Sequence, residues 1–560
     1  DSTLQRAADS ALRKALFAYD RRHGFRGVIA NLSVEKIIAD YAAENSVDEL
    51  NADTIEKRAL ENTLSDYPSY GYLKAAIVLD TRTDNSAEFF LRDSGKAVVE
   101  WEKIKWAPFI NDNRIGAPPD DITQMLVPGD IVYLLNTSKG LQLAQIPDVQ
   151  GAFVAMNPSD GSTVALSGGF DFYASQFNRA KHSARQPGST FKPFIYSAAL
   201  ENGFTASTII NDAPFISKDE SWRPENYSKK YLGPTRMREA LVKSTNTVAI
   251  RMLEKMGISN AINHIKPFGF PADALPRDLS LALGNAKATP WDMARGYTAL
   301  ANGGYSVKPY FIDTIYDANG SVVDQTKPIS VFAPCEDVRS NETSEDVNKN
   351  PQLEEIQSPS NTPRYASVAE MIEQAGKCWA DSPETPEFRQ ERNQPKRIIT
   401  AENSYIIYQM MRDVIKRGTG RRARELGRED LAGKTGTTDN QADAWFSGFN
   451  NELVGVAWVG FDKKPSLGDG ETGARAALPM WKDFMAVALK NSPEAPLKEP
   501  QDIVTVRVSA DTGKLATAGD KTTLFEIFEA GTEPEAPPED YGYAEAEIFV
   551  EQGGDDSSIF

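Results

Sequence analysis

In residues 1–24 the apolar positions Leu4, Ala8, Leu12, Leu16 and Tyr19 recur at helical spacing. Gly24 follows, so the pattern predicts an amphipathic helix that stops there. Residues 34–62 read as two more short helices, rich in Ala and Glu. Near Tyr70 the period changes. LKAAIVLD (73–80), AEFFLR (87–92), KAVVEW (96–101), DIVYLL (130–135) and LQLAQI (141–146) are short β-branched runs separated by turn residues, and they predict a small β-barrel of the OB type. From Gln150 the runs AFVAMNP and STVALSGG flank Ser159-Asp160-Gly161 as a hairpin. Helical patterns follow at 192–203, 237–256, 287–303 and 402–417, and strands return at 443–461. Strand pairs at both ends of a helical middle predict an α+β domain, with helices packed on an antiparallel sheet.

These shifts divide the chain into linker helices at 1–70, an OB-like β domain at 71–148 and an α+β domain at 149–520. An acidic surface insertion is expected at 336–398 and an acidic tail with little fixed structure at 521–560. A length of 560 residues fits such a division, at roughly 100–200 residues per domain. Hydrophobic residues make up 41% and charged residues 25%, an ordinary globular balance. The net charge of −18 argues against a nucleic-acid partner, and KRGTGRRAR (416–424) is too short a basic run to reverse that. Three histidines, His23, His182 and His264, leave little for a Ser-His-Asp enzyme or a histidine-rich metal site. The two cysteines, Cys335 and Cys378, either pair as one disulfide in an oxidising compartment or stay as two buried thiols. No metal or cofactor is implied. No apolar run approaches the ~20 residues of a membrane span. The chain opens inside a helix without an initiator Met, as expected of part of a longer protein.

The candidate chemistry begins at RQPGSTFKPF (185–194). Pro187-Gly188 turns the chain, and Pro193, lacking an N–H, fits the first helical turn; this places the helix start at or just before Ser189. Ser189 and Lys192 then share a face at i, i+3. A serine at a helix N-terminus meets positive partial charge that favours a developing alkoxide, and a neutral lysine one turn on can take its proton. Alone, the same residues read as an N-cap serine and a surface lysine. Two further groups change that: KSTNTVAI (243–250), with Ser244 and Asn246, and AGKTGTTDNQADAWFSGF (432–449), with Lys434, Thr435, Gly436 and Thr437. In this order and spacing the three form the signature of the active-site serine penicillin-recognising enzymes.

The likeness extends through NRAKHSARQPGSTFKPFIYSAALENGFT, WRPENYSKKYLGPTRMREALVKSTNTVAI, LSLALGNAKATPWDMARGYTALANGGY and GTGRRARELGREDLAGKTGTTDNQADAWFSGF. Over about 150–500 the chain resembles class A penicillin-binding proteins of the Gram-negative 1A type. The resemblance implies that 1–70 follows a glycosyltransferase domain and membrane anchor lying outside this chain, that 71–148 is the family's OB-like domain, and that 149–520 is a transpeptidase domain. It implies a peptidoglycan D,D-transpeptidase at the periplasmic face of the inner membrane, part of a bifunctional cell-wall synthase that acts on stem peptides and lipid-linked precursor strands. β-Lactams would be covalent inhibitors, and a regulatory lipoprotein or glycan strand is a candidate partner of 71–148. In roles it implies Ser189 as nucleophile, Lys192 as base, Ser244 as proton relay and Asn246 as a ligand of the substrate amide. Lys434, Thr435, Gly436 and Thr437 would form the strand that holds the substrate's terminal carboxylate.

A lysine with an ordinary pKa near ~10.4 is protonated at neutral pH. Like-charge repulsion from Lys434, helped by desolvation, is expected to lower that of Lys192. Trp222, Tyr227 and Trp445 are read either as acceptor-cleft walls or as packing, with packing favoured. Asp439 and Asp443 either steer a cationic amine or stand solvated in a loop. Gly418, Thr419 and Gly420 read as a loop, and His182 receives no role. The same motifs serve D,D-carboxypeptidases, β-lactamases and β-lactam sensors, which remain the alternatives.

Overall fold

The computed structural model of the protein describes residues 1–45, 50–111, 113–217, 220–331, 395–463 and 466–535. Its first helix, Ser2–His23 (α1), is capped by the Asp1 carboxylate, which accepts from the backbone N–H groups of Thr3 and Leu4, and it stops at Gly24, φ 100°. This helix, the first of the linker helices expected at 1–70, is packed into the body of the protein. Its stripe Ala8, Leu12, Leu16 and Tyr19 is buried in one core with Phe153, Ala457, Trp481 and Phe484. A short strand, Ala30–Asn31 (β1), and two helices, Val34–Glu44 (α2) and Ala52–Leu64 (α3), come next.

The strands read from 73 to 146 appear as Leu73–Thr81 (β2), Ser86–Leu91 (β3), Gly95–Glu100 (β4), Asp130–Thr137 (β5) and Gly140–Ala144 (β6). They form an antiparallel sheet in the order β1-β5-β2-β3-β4, with β6 also paired to β5. β1 therefore joins this sheet from within the stretch expected to be linker. The core on one side of the sheet holds Val78, Phe89, Val132 and Leu143. Ile77, Phe90 and Ile131 point the other way, into the core that contains α1.

The second sheet has five antiparallel strands: Gln150–Met156 (β7), Thr163–Ser167 (β8), Ala432–Thr437 (β9), Asp443–Phe449 (β10) and Val454–Gly460 (β11), in the order β8-β7-β11-β10-β9. Strict alternation sorts its side chains. Val154, Trp445, Val456 and Trp458 enter one core, and Phe153, Ala444, Phe446, Ala457 and Val459 enter the other. The first core is filled from helices Lys192–Glu201 (α4), Met237–Lys243 (α5), Asn246–Met256 (α6), Pro290–Ala301 (α7) and Ala401–Arg417 (α8). The second is closed by α1 and by Leu478–Ala488 (α9). With both faces covered, β10 and β11 are buried at every position.

Two expectations need correction. The helical pattern at 237–256 is two helices, because Ser244 takes φ 59°, ψ 39° and ends α5. A non-glycine residue in that left-handed region costs roughly 1–2 kcal/mol, so the break is imposed by tertiary contacts and not by local preference. The region 521–560 is not all tail. In a C-terminal ribbon, Thr523–Glu529 (β13) pairs along its whole length with Ile503–Ser509 (β12). Its Glu526 is buried against Arg238, a contact 288 residues away in sequence that no local pattern announces. Within the expected insertion at 336–398, Lys396 and Arg397 pair with Ser306 and Tyr305. Residues 336–394 of that insertion, Cys378 included, and Cys335 just before it lie outside the described residues, as does 536–560.

Candidate active site

Ser189 stands half-buried in a 3-10 turn, Gly188–Phe191, and α4 begins only at Lys192, with Pro193 in its first turn. The turn is packed from two sides. Gly188 N donates to Gly284 O at 3.2 Å. A Cβ on Gly284 would lie 1.9 Å from Gly188 O, and one on Gly188 would lie 2.9 Å from Thr437 O. Both glycines also have positive φ, so these positions exclude side chains on two grounds. The serine turn is thereby pressed against the end of β9.

Lys192 is fully buried. Its Nζ donates to Ser244 O at 2.8 Å, Thr245 O at 2.9 Å and Asn246 Oδ1 at 2.9 Å, and lies 3.5 Å from Ser244 Oγ. From β9, the equally buried Lys434 donates to that same Ser244 Oγ at 2.8 Å and to Thr435 O at 3.0 Å. Ser244 thus bridges two ammonium groups, and the left-handed turn at Ser244 is what points it there. Burial lowers the pKa of Lys434 to about 7. Burial first, then the charge of Lys434, pushes Lys192 well below the ordinary lysine value, while Asp212 opposes the shift. The expected order of causes is reversed: desolvation leads and like-charge repulsion follows.

The remaining predicted residues fall in the same cleft. Asn246 opens α6, and its Nδ2 donates to Glu225 O at 2.8 Å. Thr435 and Gly436 are buried in β9, and Thr437 is half-buried at its end. Thr437 Oγ1 accepts from Gly473 N at 3.1 Å, so its own proton is left for another acceptor. Trp445 is core packing, fully buried, with Nε1 donating to Gln186 O at 2.8 Å. Trp222 packs at the core margin and Tyr227 is exposed. Asp443 is not a solvated loop carboxylate: it is buried and accepts from Trp458 Nε1 at 2.9 Å. Asp439 and His182 are exposed.

Three contributors escaped the sequence reading. Thr419 Oγ1 lies 2.6 Å from Thr435 Oγ1, within the segment read as a plain loop. The glycine before it was the available signal, since a Cβ on Gly418 would meet Val242 O at 2.5 Å. Asp212 is fully buried and accepts from Thr247 Oγ1, from Asn226 Nδ2 at 2.7 Å and from Leu232 N at 2.9 Å. Asn226 Oδ1 in turn accepts from Asn246 N at 2.7 Å. These two residues brace the start of α6 from outside the motifs, and a lone Asp at a strand end or Asn in a loop carries no sequence signal for that.

Comparisons with known proteins identify the family. Residues 151–466 match the penicillin-binding protein transpeptidase domain, and residues 42–149 match the penicillin-binding protein OB-like domain. Penicillin-binding protein 1A of Pseudomonas aeruginosa is 40% identical over 548 residues, covering 96% of this chain and 62% of that protein. The Escherichia coli protein of the same name is 34% identical over 558 residues, covering 95% and 63%. The chain therefore spans about three fifths of the length of these relatives. A crystal structure of penicillin-binding protein 1A from Haemophilus influenzae superposes with a TM-score of 0.75 at 30% identity, covering 96% of this chain and 72% of that one. With the transpeptidase-domain match spanning more than half of its length, the chain belongs to the penicillin-binding protein family and carries that family's transpeptidase domain.

Proposed function

We propose that the cleft cross-links peptidoglycan stem peptides through an acyl-enzyme on Ser189. The observation that carries this reading is Ser244 Oγ held between two buried lysines, beside the serine turn. Ser189 Oγ attacks the carbonyl between two D-alanines, and its proton passes to Lys192 Nζ. For this Lys192 must be neutral and give up one of its three close acceptors, which its depressed pKa favours. The carbonyl oxygen, now negative, is met by the N–H groups of Ser189 and Thr437; removing one such donor typically costs ~10²–10³ in rate. The C–N bond breaks, and the proton returns from Lys192 through Ser244 to the departing D-Ala amine. An acceptor amine then attacks the ester carbon, loses its proton by the same relay, and Ser189 leaves.

Asn246 holds the substrate amide, and Lys434, Thr435 and Thr437 hold the terminal carboxylate. Each of the two threonine hydroxyls has a neighbour able to donate to it, Thr419 Oγ1 or Gly473 N, so each can point its own proton at an anion. A β-lactam enters by the same attack and stays as the ester.

In the whole protein this activity belongs to a bifunctional synthase working on lipid-linked strands at the periplasmic face of the inner membrane. Among the described residues no helix is long and apolar enough to cross a membrane. A regulatory lipoprotein at 71–148 is the partner proposed for the OB-like domain. A photo-cross-linker at the exposed Ile110 tests it, and no partner adduct in the cell envelope would remove it. The test of the reaction is intact-mass spectrometry after benzylpenicillin, with peptide mapping and Ser189→Ala as control. A lasting stoichiometric adduct on Ser189 is expected. Rapid drug loss without one would point to a β-lactamase, and no adduct with no loss would end the reading.

A further inference from the structure

The segment before α9 packs against the end of the catalytic strand and hydrogen-bonds to it. Gly473 N donates to Thr437 Oγ1 at 3.1 Å. Only glycine fits there, because a Cβ would lie 2.2 Å from Trp445 O and 2.3 Å from Gly436 O. The loop itself is held by residues far away in sequence. Glu471, 1% exposed, takes Arg22 Nε at 2.8 Å and Arg22 Nη2 at 2.6 Å on its two oxygens, and Arg475 Nε at 3.3 Å. Tyr19 Oη donates to Leu467 O at 2.7 Å, and Asp469 N donates to Asn113 Oδ1 of the OB-like domain at 2.6 Å. Helix α1 thus grips both ends of a loop whose next residue after Thr472 supplies the N–H that orients Thr437.

We propose that Glu471, clamped by Arg22, is a positioning residue for the carboxylate subsite: it fixes the Gly473 N–H so that the Thr437 hydroxyl accepts from it and donates to the substrate carboxylate. The inference rests on the transpeptidase reading above and deepens it. A forked Arg–carboxylate pair has a defined geometry that a single-point contact lacks. Loosening it frees the loop, Thr437 loses its backing donor, and its hydroxyl rotates among other acceptors. The loss then appears in the recognition of the carboxylate and not in the attack by Ser189, which uses Lys192 and Ser244.

The test compares the wild-type chain with Glu471→Gln and Arg22→Met, using benzylpenicillin and its methyl ester, with saturation kinetics that separate prior binding from acylation. Both variants should weaken binding of benzylpenicillin by about five- to tenfold, the worth of one hydrogen bond of about 1 kcal/mol or slightly more. The acylation step should stay within about twofold, and the methyl ester should react at the wild-type rate. Arg22→Lys, which keeps one charged contact, should recover part of the loss. An equal loss on both compounds, or a change confined to the acylation step, overturns the proposal, as does wild-type behaviour in both variants. Should Glu471→Gln fail to fold, Arg22→Met alone decides, since its side chain reaches solvent and is 28% exposed. Absence of any wild-type adduct would instead sink the transpeptidase reading.

Discussion

At the N-terminal end of α5, Arg236 and Arg238 meet Glu526, Glu239 and Asp413, and Arg417 joins Asp413 at 3.1 Å and Glu239. Three guanidinium groups face three carboxylates. At the C-terminal end of the same short helix, Ser244 lies between Lys192 and Lys434 with no carboxylate bonded to either ammonium. Arg417 is exposed, but Arg238 is largely buried and the two lysines fully so, and burial pulls these three cations toward the neutral form. At Arg238 the charge and hydrogen bonds of Glu526, with Asp413 behind, more than offset burial and carry the pKa upward. At Lys192 burial and Lys434 act together and the distant Asp212 does not compensate. The first cluster can only hold the fold together. The second keeps a proton loosely enough to move it, and that difference marks where chemistry is found.

Substitutions should separate the two. Lys192→Met removes the base and should lower the penicillin acylation rate by about 10³–10⁴-fold or more, read by stopped mass spectrometry, with the melting temperature unchanged or higher. A melting temperature far below wild type would break the contrast. Glu526→Gln should do the reverse. Arg238 then keeps only Asp413, at 3.3 Å, and losing the forked pair should cost about 1.5–3 kcal/mol in denaturant unfolding while the folded fraction still acylates at close to the wild-type rate. The pH dependence follows from the lysines. Lys192, the base, is held well below the ordinary lysine value, so acylation should rise with pH as it loses its proton and then level off well before the pH at which a free lysine would titrate. The depressed values also mean that the unfolded chain binds more protons from about 7 up to about 10.5, so stability from Lys434 grows with pH across that window and is lost as pH falls through it. A pH profile of unfolding that is flatter in Lys434→Met than in wild type checks the sign. Thr419→Val, which removes the hydroxyl behind Thr435, should cost about fivefold to tenfold in acylation by benzylpenicillin. Smallest of all, Val98→Thr on the exposed edge strand β4 should change stability by no more than about 0.5 kcal/mol and leave acylation alone.

The legible parts of the molecule were those whose signal is local. The hairpin at Ser159-Asp160-Gly161, the alternating strands of both sheets and the helix at 401–417 each rest on a short period and a turn residue. Ser189 with Lys192, Ser244 with Asn246, and the run Lys434 to Thr437 were legible as motifs for the same reason. The break at Ser244 was not, since nothing in VKSTNTVAI forbids a continuous helix and only the lysines on either side reward the left-handed turn. Nor was the structural use of α1, bonded to residues more than a hundred positions on, or of Glu526, whose partner Arg238 lies 288 residues away. Asp443 was misjudged because its loop-like neighbours hide the Trp458 indole that covers it.

By itself the sequence determined the period of each element, the helix stops at glycines and the identity of the reactive side chains, all properties of neighbours along the chain. Tertiary structure alone decided that residues 52 and 190 positions apart meet at one hydroxyl. It alone decided that two lysines there lose their water without gaining a carboxylate. Desolvation is a sum over everything packed around a group, and no stretch of chain carries that sum in its own letters.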